Sequence, residues 1–155
     1  MLPRAFVASL HFLALGIGLG AVFVRGLRLR DLRRAPTQAA PLGGLFGADS
    51  LWGLAAALWI ITGLLRAFAG LEKATDFYLR NGFFYVKMGL FLAVFALELA
   101  PMLTFIAWRR ARAKGATPWT TAPVARLVRI NDAELVLVVL IPFAAALMSR
   151  GAWLF

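Results

Sequence analysis

The chain has 155 residues, of which 62% are apolar, and its mean hydropathy is +0.81. Soluble domains have about 45–50% apolar residues, so this composition indicates a protein whose main solvent is lipid. The absence of cysteine excludes disulfides and thiolate-ligated metal centres, and a single histidine excludes a metal site built from several imidazoles. The net charge of +10 lies mainly between the apolar stretches, so it indicates membrane topology rather than nucleic-acid binding.

Four apolar stretches each approach the ~20 residues that span a bilayer. They predict an all-α integral membrane four-helix bundle, formed by a single transmembrane domain over residues 1–155. The predicted spans are residues 5–24, 51–71, 83–108 and 135–155, with a Pro/Gly-rich connection before the second span.

The basic residues predict the orientation of these spans. The connections that follow the first and the third span hold 11 of the 17 basic residues. Because Lys and Arg concentrate on the cytoplasmic side of membranes, we expect an N-out/C-out topology. The expected location is the inner (plasma) membrane, as a multi-pass protein in contact with the lipid bilayer.

Two polar residues lie inside the predicted spans near their outer ends. At 1.5 Å per residue, His11 lies about 9 Å and Lys87 about 6 Å below the same membrane face. The two residues are therefore expected at one level, where they could flank a shared ligand, and Gly18 would leave room for a flat molecule below the imidazole. Two simpler interpretations stay open: a lysine near a helix end often snorkels to the interface, and a histidine can hydrogen-bond across helices for packing.

A second polar layer lies deeper, with Arg25, Arg28 and Arg129 as basic neighbours. We interpret it as a structural network of ion pairs, with Asp49 or Ser50 capping the second helix, while a functional role stays open because acids inside membranes are often functional. The layer consists of Asp49, Glu98, Asn131, Asp132 and Glu134.

Several stretches of the chain resemble an uncharacterised bacterial family of four-helix predicted membrane proteins, a domain of unknown function. The resemblance covers nearly the whole chain and implies the fold but no activity. The stretches are Leu10-His11-Phe-Leu-Ala-Leu-Gly16, Trp52-Gly-Leu-Ala-Ala, Trp59-Ile-Ile-Thr-Gly63-Leu, Phe77-Tyr78-Leu and Lys87-Met-Gly-Leu.

A more distant resemblance is to the HemJ-type protoporphyrinogen IX oxidases. The shared features, in the same order, are Leu10-His11, Trp59-Ile-Ile-Thr-Gly63-Leu64, Phe83-Phe84-Tyr85-Val86-Lys87 and Asn131-Asp132. The resemblance implies haem b as a cofactor, with His11 and Lys87 as the residues carried over. The chain departs from the pattern at Tyr85, where that family has a histidine two residues before the lysine, and at the end of the first helix, where the family's second histidine is missing. We therefore expect a shared scaffold and a haem site, but do not carry over the oxidase activity.

Two classes of function follow from this reasoning. In the first, His11 is an axial ligand of haem iron, while Lys87 is the opposite ligand or pairs with a propionate; Met148 is a weaker axial candidate. Such an oxidoreductase would need a quinone or a membrane electron acceptor. In the second, the protein is a non-enzymatic accessory or assembly subunit, or a small carrier without cofactor. A homo-oligomer packed through residues 16–20 fits this second class.

Overall fold

The computed structural model describes residues 2–36, 40–120 and 122–155. In chain order its elements are α1 (Leu2–Arg34), α2 (Ala40–Phe68), the short α3 (Thr75–Leu79), α4 (Gly82–Ala113), a 3-10 turn (Pro118–Thr120) and α5 (Val124–Ser149). The four long helices are each long and apolar enough to cross a membrane. The predicted all-α fold with four membrane-spanning helices is confirmed.

The long helices pack side by side in the order α2, α1, α5, α4. The backbones of α2 and α4 do not pack closely along their length, and large side chains connect them instead. The indole N–H of Trp52 donates to Glu98 at 3.0 Å, and the rings of Trp59 and Phe91 meet edge to face at 6.4 Å between centroids. This arrangement leaves space between α2 and α4, and that space positions the cavity described below.

The buried apolar residues form three clusters along the bundle axis. We call the end with the α1–α2 and α4–α5 connections the basic end, and the end with both termini and α3 the terminal end. The cluster at the basic end contains Leu29, Leu32, Leu42, Leu45, Phe105, Trp108, Trp119, Val124, Leu127 and Val128. The middle cluster contains Ala14, Ala21, Val22, Trp52, Trp59, Val94, Val138 and Ile141. The cluster at the terminal end contains Ala67, Tyr78, Phe84 and Met148.

Two helices begin earlier in the chain than the predicted spans. α2 begins at Ala40 rather than near residue 51, because Leu42 and Leu45 recur at helical spacing and are fully buried in the basic-end cluster. This packing outweighs the low helix propensity of the nearby glycines. Asp49 and Ser50 therefore lie inside α2, and the expectation that one of them caps the helix was wrong.

α5 likewise begins at Val124 rather than near residue 135, because its first two turns bury Val124, Leu127 and Val128. Their basic neighbours on this part of the helix, Arg126 and Arg129, point outward and are exposed. A helix with one buried stripe and an outward basic face is amphipathic, and this pattern was mistaken for a connection.

The end of the chain differs from the predicted last span, because α5 ends at Ser149 and not at residue 155. Gly151 takes a positive φ of 74°, which reverses the chain. The amide of Gly82 then donates to the carbonyl of Trp153 at 2.9 Å, and the amide of Phe155 donates to the carbonyl of Arg80 at 3.0 Å. Residues 150–155 therefore close the terminal end against the start of α4.

Candidate ligand-binding cavity and buried polar cluster

His11 lies on the buried face of α1 and both of its ring nitrogens contact α2. The indole N–H of Trp59 donates to Nε2 at 3.0 Å, and Nδ1 lies 2.9 Å from the hydroxyl oxygen of Thr62. The Thr62 hydroxyl also lies 2.7 Å from the carbonyl oxygen of Leu58, to which it can donate. Since Nε2 accepts, the proton is assigned to Nδ1, and the ring is neutral and fully hydrogen-bonded.

Gly63 explains why the imidazole fits against α2. A Cβ at this position would lie 3.3 Å from Cε1 of His11, so the glycine lets the ring approach the helix closely. Gly18 lies one helical turn after Leu15 on the same face of α1. It does not leave the predicted room for a flat ligand. The ring of Trp52 fills that space, since a Cβ on Gly18 would lie only 2.9 Å from Trp52 Cζ3.

A cavity of about 490 Å³ lies beside His11 towards the terminal end. Its volume falls within the roughly 300–1,000 Å³ that is usual for small-molecule sites. All four long helices and the α2–α4 connection contribute to its wall. Its lining includes the side chains of His11, Trp59, Arg66, Glu72, Lys87 and Met148.

Lys87 lies on the cavity wall and is partly buried. Within the described part of the chain its ammonium group makes no hydrogen bond and no ion pair, although Arg66 and Glu72 are close enough to act on it electrostatically. The structure thus brings the two residues predicted at one level, His11 and Lys87, to the wall of the same cavity. Met148, the weaker candidate, lies there too.

Arg66 is the second cation of this cavity. Its Nη2 pairs with Glu72, while its Nη1 is buried without a hydrogen-bond partner among the described residues. The guanidinium also lies over the ring of Phe12, 5.2 Å from the centroid. With His11 neutral, the cavity wall carries two cations and one carboxylate, so its net charge is positive.

The cavity is not sealed from the surrounding lipid. Leu64 and Phe68, one helical turn apart on α2, line it and are 52% and 53% exposed, and Phe12 lines it and is 62% exposed. These apolar side chains form a lateral rim that faces the position of the acyl chains. A molecule dissolved in the bilayer could therefore reach the cavity without crossing an aqueous phase.

α3 and the residues before it cover the cavity at the terminal end. Tyr78 is buried there and packs against Phe84, with ring centroids 5.8 Å apart. Burial raises the pKa of the Tyr78 hydroxyl, and the nearby Glu72 carboxylate raises it further, so the phenol is neutral at physiological pH. The cover is fixed to α4 by Asn81, whose side chain accepts from the amide of Phe83 at 2.9 Å and caps that helix.

The deeper polar layer is organised by Arg25, which is completely buried. Its Nη1 donates to both oxygens of Glu98 at 2.9 Å, its Nη2 contacts Glu134, and its Nε donates to the side-chain oxygen of Asn131 at 2.8 Å. Asp49 lies 3.5 Å from Nη1. One guanidinium thus connects three carboxyl groups from α2, α4 and α5.

The remaining members of the predicted layer lie at its edge. Asp132 pairs with Arg30 at 2.5 Å and not with Arg25, and it is half-buried. Arg109 donates to Asp49 at 2.8 Å and joins α4 to α2. The predicted neighbours Arg28 and Arg129 do not join the layer: Arg28 pairs with Asp31 at 3.6 Å on the surface of α1.

Reasoning from the sequence missed four side chains of the candidate sites: Thr62, Arg66, Glu72 and, as the centre of its cluster, Arg25. Thr62 lies three residues after Trp59, so both share the α2 face that meets His11, and this spacing was the available signal. Arg66 lies near the end of α2, and Glu72 lies in the connection between α2 and α3. Nothing local to them shows that the connection folds back over the cavity.

An apolar four-helix bundle with an intramembrane cavity and a buried ion-pair cluster defines a polytopic helical membrane protein. The chain belongs to the family described as "Predicted membrane protein (DUF2214)", whose profile matches residues 3–152. No curated protein and no solved structure matches the chain.

Proposed function

We propose that this protein is a small membrane carrier that binds a lipid-soluble molecule with an acidic head group in the cavity beside Lys87. The observation that carries the proposal is the excess of positive charge on an otherwise apolar wall. An ammonium group inside a bilayer is costly unless it is paired, and Lys87 has no partner within the described residues. A carboxylate or phosphate at the cavity would supply that partner and could also reach the free Nη1 of Arg66.

The lateral rim supports a ligand that comes from the bilayer. Its head group would meet Lys87 and Arg66, while its tail would lie along Leu64 and Phe68 towards lipid. A quinone, the electron acceptor expected for a redox protein, is neutral and would leave the ammonium charge without a counter-ion. The charge balance therefore favours an acidic amphiphile over a quinone.

The proposal can be tested with a brominated stearic acid as the probe. The full-length protein in nanodiscs of neutral phosphatidylcholine is titrated, and bromine quenching of tryptophan fluorescence reports occupation near Trp59. Loss of a charge-assisted hydrogen bond costs about 1.5–3 kcal/mol, so Lys87→Met should weaken binding roughly 10- to 150-fold. Lys87→Arg should keep most of the affinity because it keeps the charge.

The methyl ester of the same acid is the matched control, since it differs only in the charge of its head group. Much weaker quenching by the ester, together with the Lys87→Met result, is the expected outcome. Equal affinity of acid and ester, or of wild type and Lys87→Met, would show that the cavity does not select an anion and would overturn the proposal.

Haem b binding is the second candidate, because His11, Lys87 and Met148 line one cavity. Coordination of iron by His11 does not fit the present hydrogen bonds: Nε2 accepts from Trp59, and Nδ1 carries the proton. The test is the visible spectrum of the purified protein before and after haem addition. A Soret band that is lost in His11→Ala and strengthened in Trp59→Phe would favour haem. A protein that stays colourless in all three forms would exclude it.

The orientation that we propose places the terminal end and the cavity on the outer side of the inner membrane, as the distribution of basic residues indicates. The natural chain has no cysteine, so single cysteines can be introduced without background. Phe155→Cys should react with a membrane-impermeant maleimide on intact cells, whereas Ala116→Cys in the α4–α5 connection should react only after lysis. The reverse pattern would show that the cavity faces the cytoplasmic side.

A further inference from the structure

The cluster around Arg25 has more acids than bases. Three carboxyl groups, those of Asp49, Glu98 and Glu134, share two guanidinium groups, those of Arg25 and Arg109. If every acid were ionised, the cluster would carry one uncompensated negative charge in the interior of a membrane bundle. Such a charge is strongly disfavoured in an environment of low dielectric constant.

The hydrogen bonds distinguish the three acids from one another. Both oxygens of Glu98 accept from Arg25, and Oε2 also accepts from the Trp52 indole at 3.0 Å. Asp49 accepts from Arg109 and lies near Arg25. The carboxyl groups of Glu98 and Asp49 therefore accept hydrogen bonds from guanidinium and indole N–H groups, as ionised carboxylates do.

Glu134 is different. Its side chain is 0% exposed, its Oε2 contacts Arg25, and its Oε1 has no hydrogen-bond partner among the described residues. Glu98 pairs with the same guanidinium group, so the two acids share one cation. Two ionised carboxylates that share one cation in a medium of low dielectric constant repel each other, so one of them is expected to bind a proton.

We propose that Glu134 carries an exchangeable proton on its unpartnered oxygen, so that the Arg25 cluster is a proton-binding site inside the helical bundle. The proton makes the cluster neutral, since two carboxylates then face two guanidinium groups. This site is separate from the cavity and does not depend on the carrier proposal. Buried acids of this kind serve as proton relays in membrane pumps and transporters.

The charged and polar groups that face the proton come from each of the four helices. Arg25 comes from α1, Asp49 from α2, Glu98 and Arg109 from α4, and Asn131 from α5. Glu98 and Asp49 are 18% and 13% exposed, and Arg109, which pairs with Asp49 towards the basic end, is 36% exposed. We therefore expect the proton to exchange with water at the basic end of the protein.

Infrared spectroscopy of the full-length protein in detergent tests the proposal directly. At neutral pH we expect the carbonyl stretch of one protonated carboxyl group per chain, which shifts in D2O and disappears at high pH. The chain contains only three glutamates, Glu72, Glu98 and Glu134, so carbon-13 labelling of glutamate should move the band without any substitution. Absence of the band, or a band that glutamate labelling does not move, would overturn the proposal.

Substitutions then assign the band. Glu134→Gln should remove it, and Glu98→Gln should remove it as well, because losing one negative charge lets Glu134 ionise. Asp132→Asn is the matched control, since Asp132 pairs with Arg30 outside the cluster, and it should leave the band unchanged. Glu134→Gln should also keep near-wild-type thermal stability, because glutamine resembles the neutral acid. A retained band in Glu134→Gln would contradict the assignment.

Discussion

The indole N–H of Trp59 donates to Nε2 of His11 across the α1–α2 interface at 3.0 Å. In this hydrogen bond Nε2 uses the lone pair with which it would otherwise bind a metal ion. The other ring nitrogen, Nδ1, carries the proton and contacts the Thr62 hydroxyl. The only histidine of the chain is therefore held as a neutral element of the cavity wall. The contact joins two helices whose packing also depends on the small residue Gly63.

The tautomer of His11 is a prediction that one spectrum can check. With histidine labelled by nitrogen-15, the full-length protein has a single pair of ring resonances, because the chain has one histidine. We expect the neutral Nδ1–H tautomer, in which Nδ1 is protonated and Nε2 accepts. Spectra in Trp59→Phe should show a change at Nε2. The opposite tautomer or an imidazolium at neutral pH would contradict the arrangement.

Trp59→Phe should destabilise the protein because it leaves a buried acceptor on His11 without its donor. An unsatisfied buried polar group costs about 1–3 kcal/mol, and the smaller ring adds a packing loss. Thermal unfolding in detergent measures the effect. Trp153→Phe is the control, since Trp153 is 61% exposed and has no such bond among the described contacts. Equal loss in both variants would show that the hydrogen bond contributes little.

Gly18 and Gly16 provide a matched pair on α1. A methyl group on Gly18 would lie 2.9 Å from the buried ring of Trp52, which is held in turn by Glu98, whereas one on Gly16 would meet no atom of the described residues within 4 Å. Gly18→Ala should therefore cost about 1–3 kcal/mol through overpacking. Gly16→Ala should be neutral or slightly stabilising because it removes a helix glycine. Thermal melting of the two variants side by side tests this, and equal melting temperatures would disprove it.

The four apolar helices could be predicted from the sequence because hydropathy and length define them directly. Their ends could not, since the turns that begin α2 and α5 contain glycines or arginines and become helical only through tertiary burial. Leu42 and Leu45 illustrate this: their helical spacing is visible, but the cluster in which they are buried also needs residues of α1, α4 and α5. Local propensity therefore favoured a connection where packing forms a helix.

The two polar levels could be predicted from residue counting along rigid helices, which places His11 with Lys87 and Glu98 with Glu134. Counting does not give the rotation of each helix, so it could not show that Arg25 points inward while Arg28 points outward. Nor could it show that Trp52, rather than a ligand, lies beside Gly18. These features depend on how neighbouring helices face one another.

Arg25 should be the most sensitive position of the inner cluster. Arg25→Met would leave three carboxyl groups without their shared cation, and removing one partner of a buried ion pair typically costs about 3–5 kcal/mol. Arg25→Lys should recover only part of this, because a lysine cannot make the forked contacts to Glu98, Glu134 and Asn131 at once.

Arg28→Met is the control, since its surface pair with Asp31 contributes about 1 kcal/mol or less. Melting temperatures in detergent should fall in the order Arg28→Met, Arg25→Lys, Arg25→Met. A stable Arg25→Met protein would mean that the acids can all be neutralised by protons, so that the guanidinium is not what holds α2, α4 and α5 together.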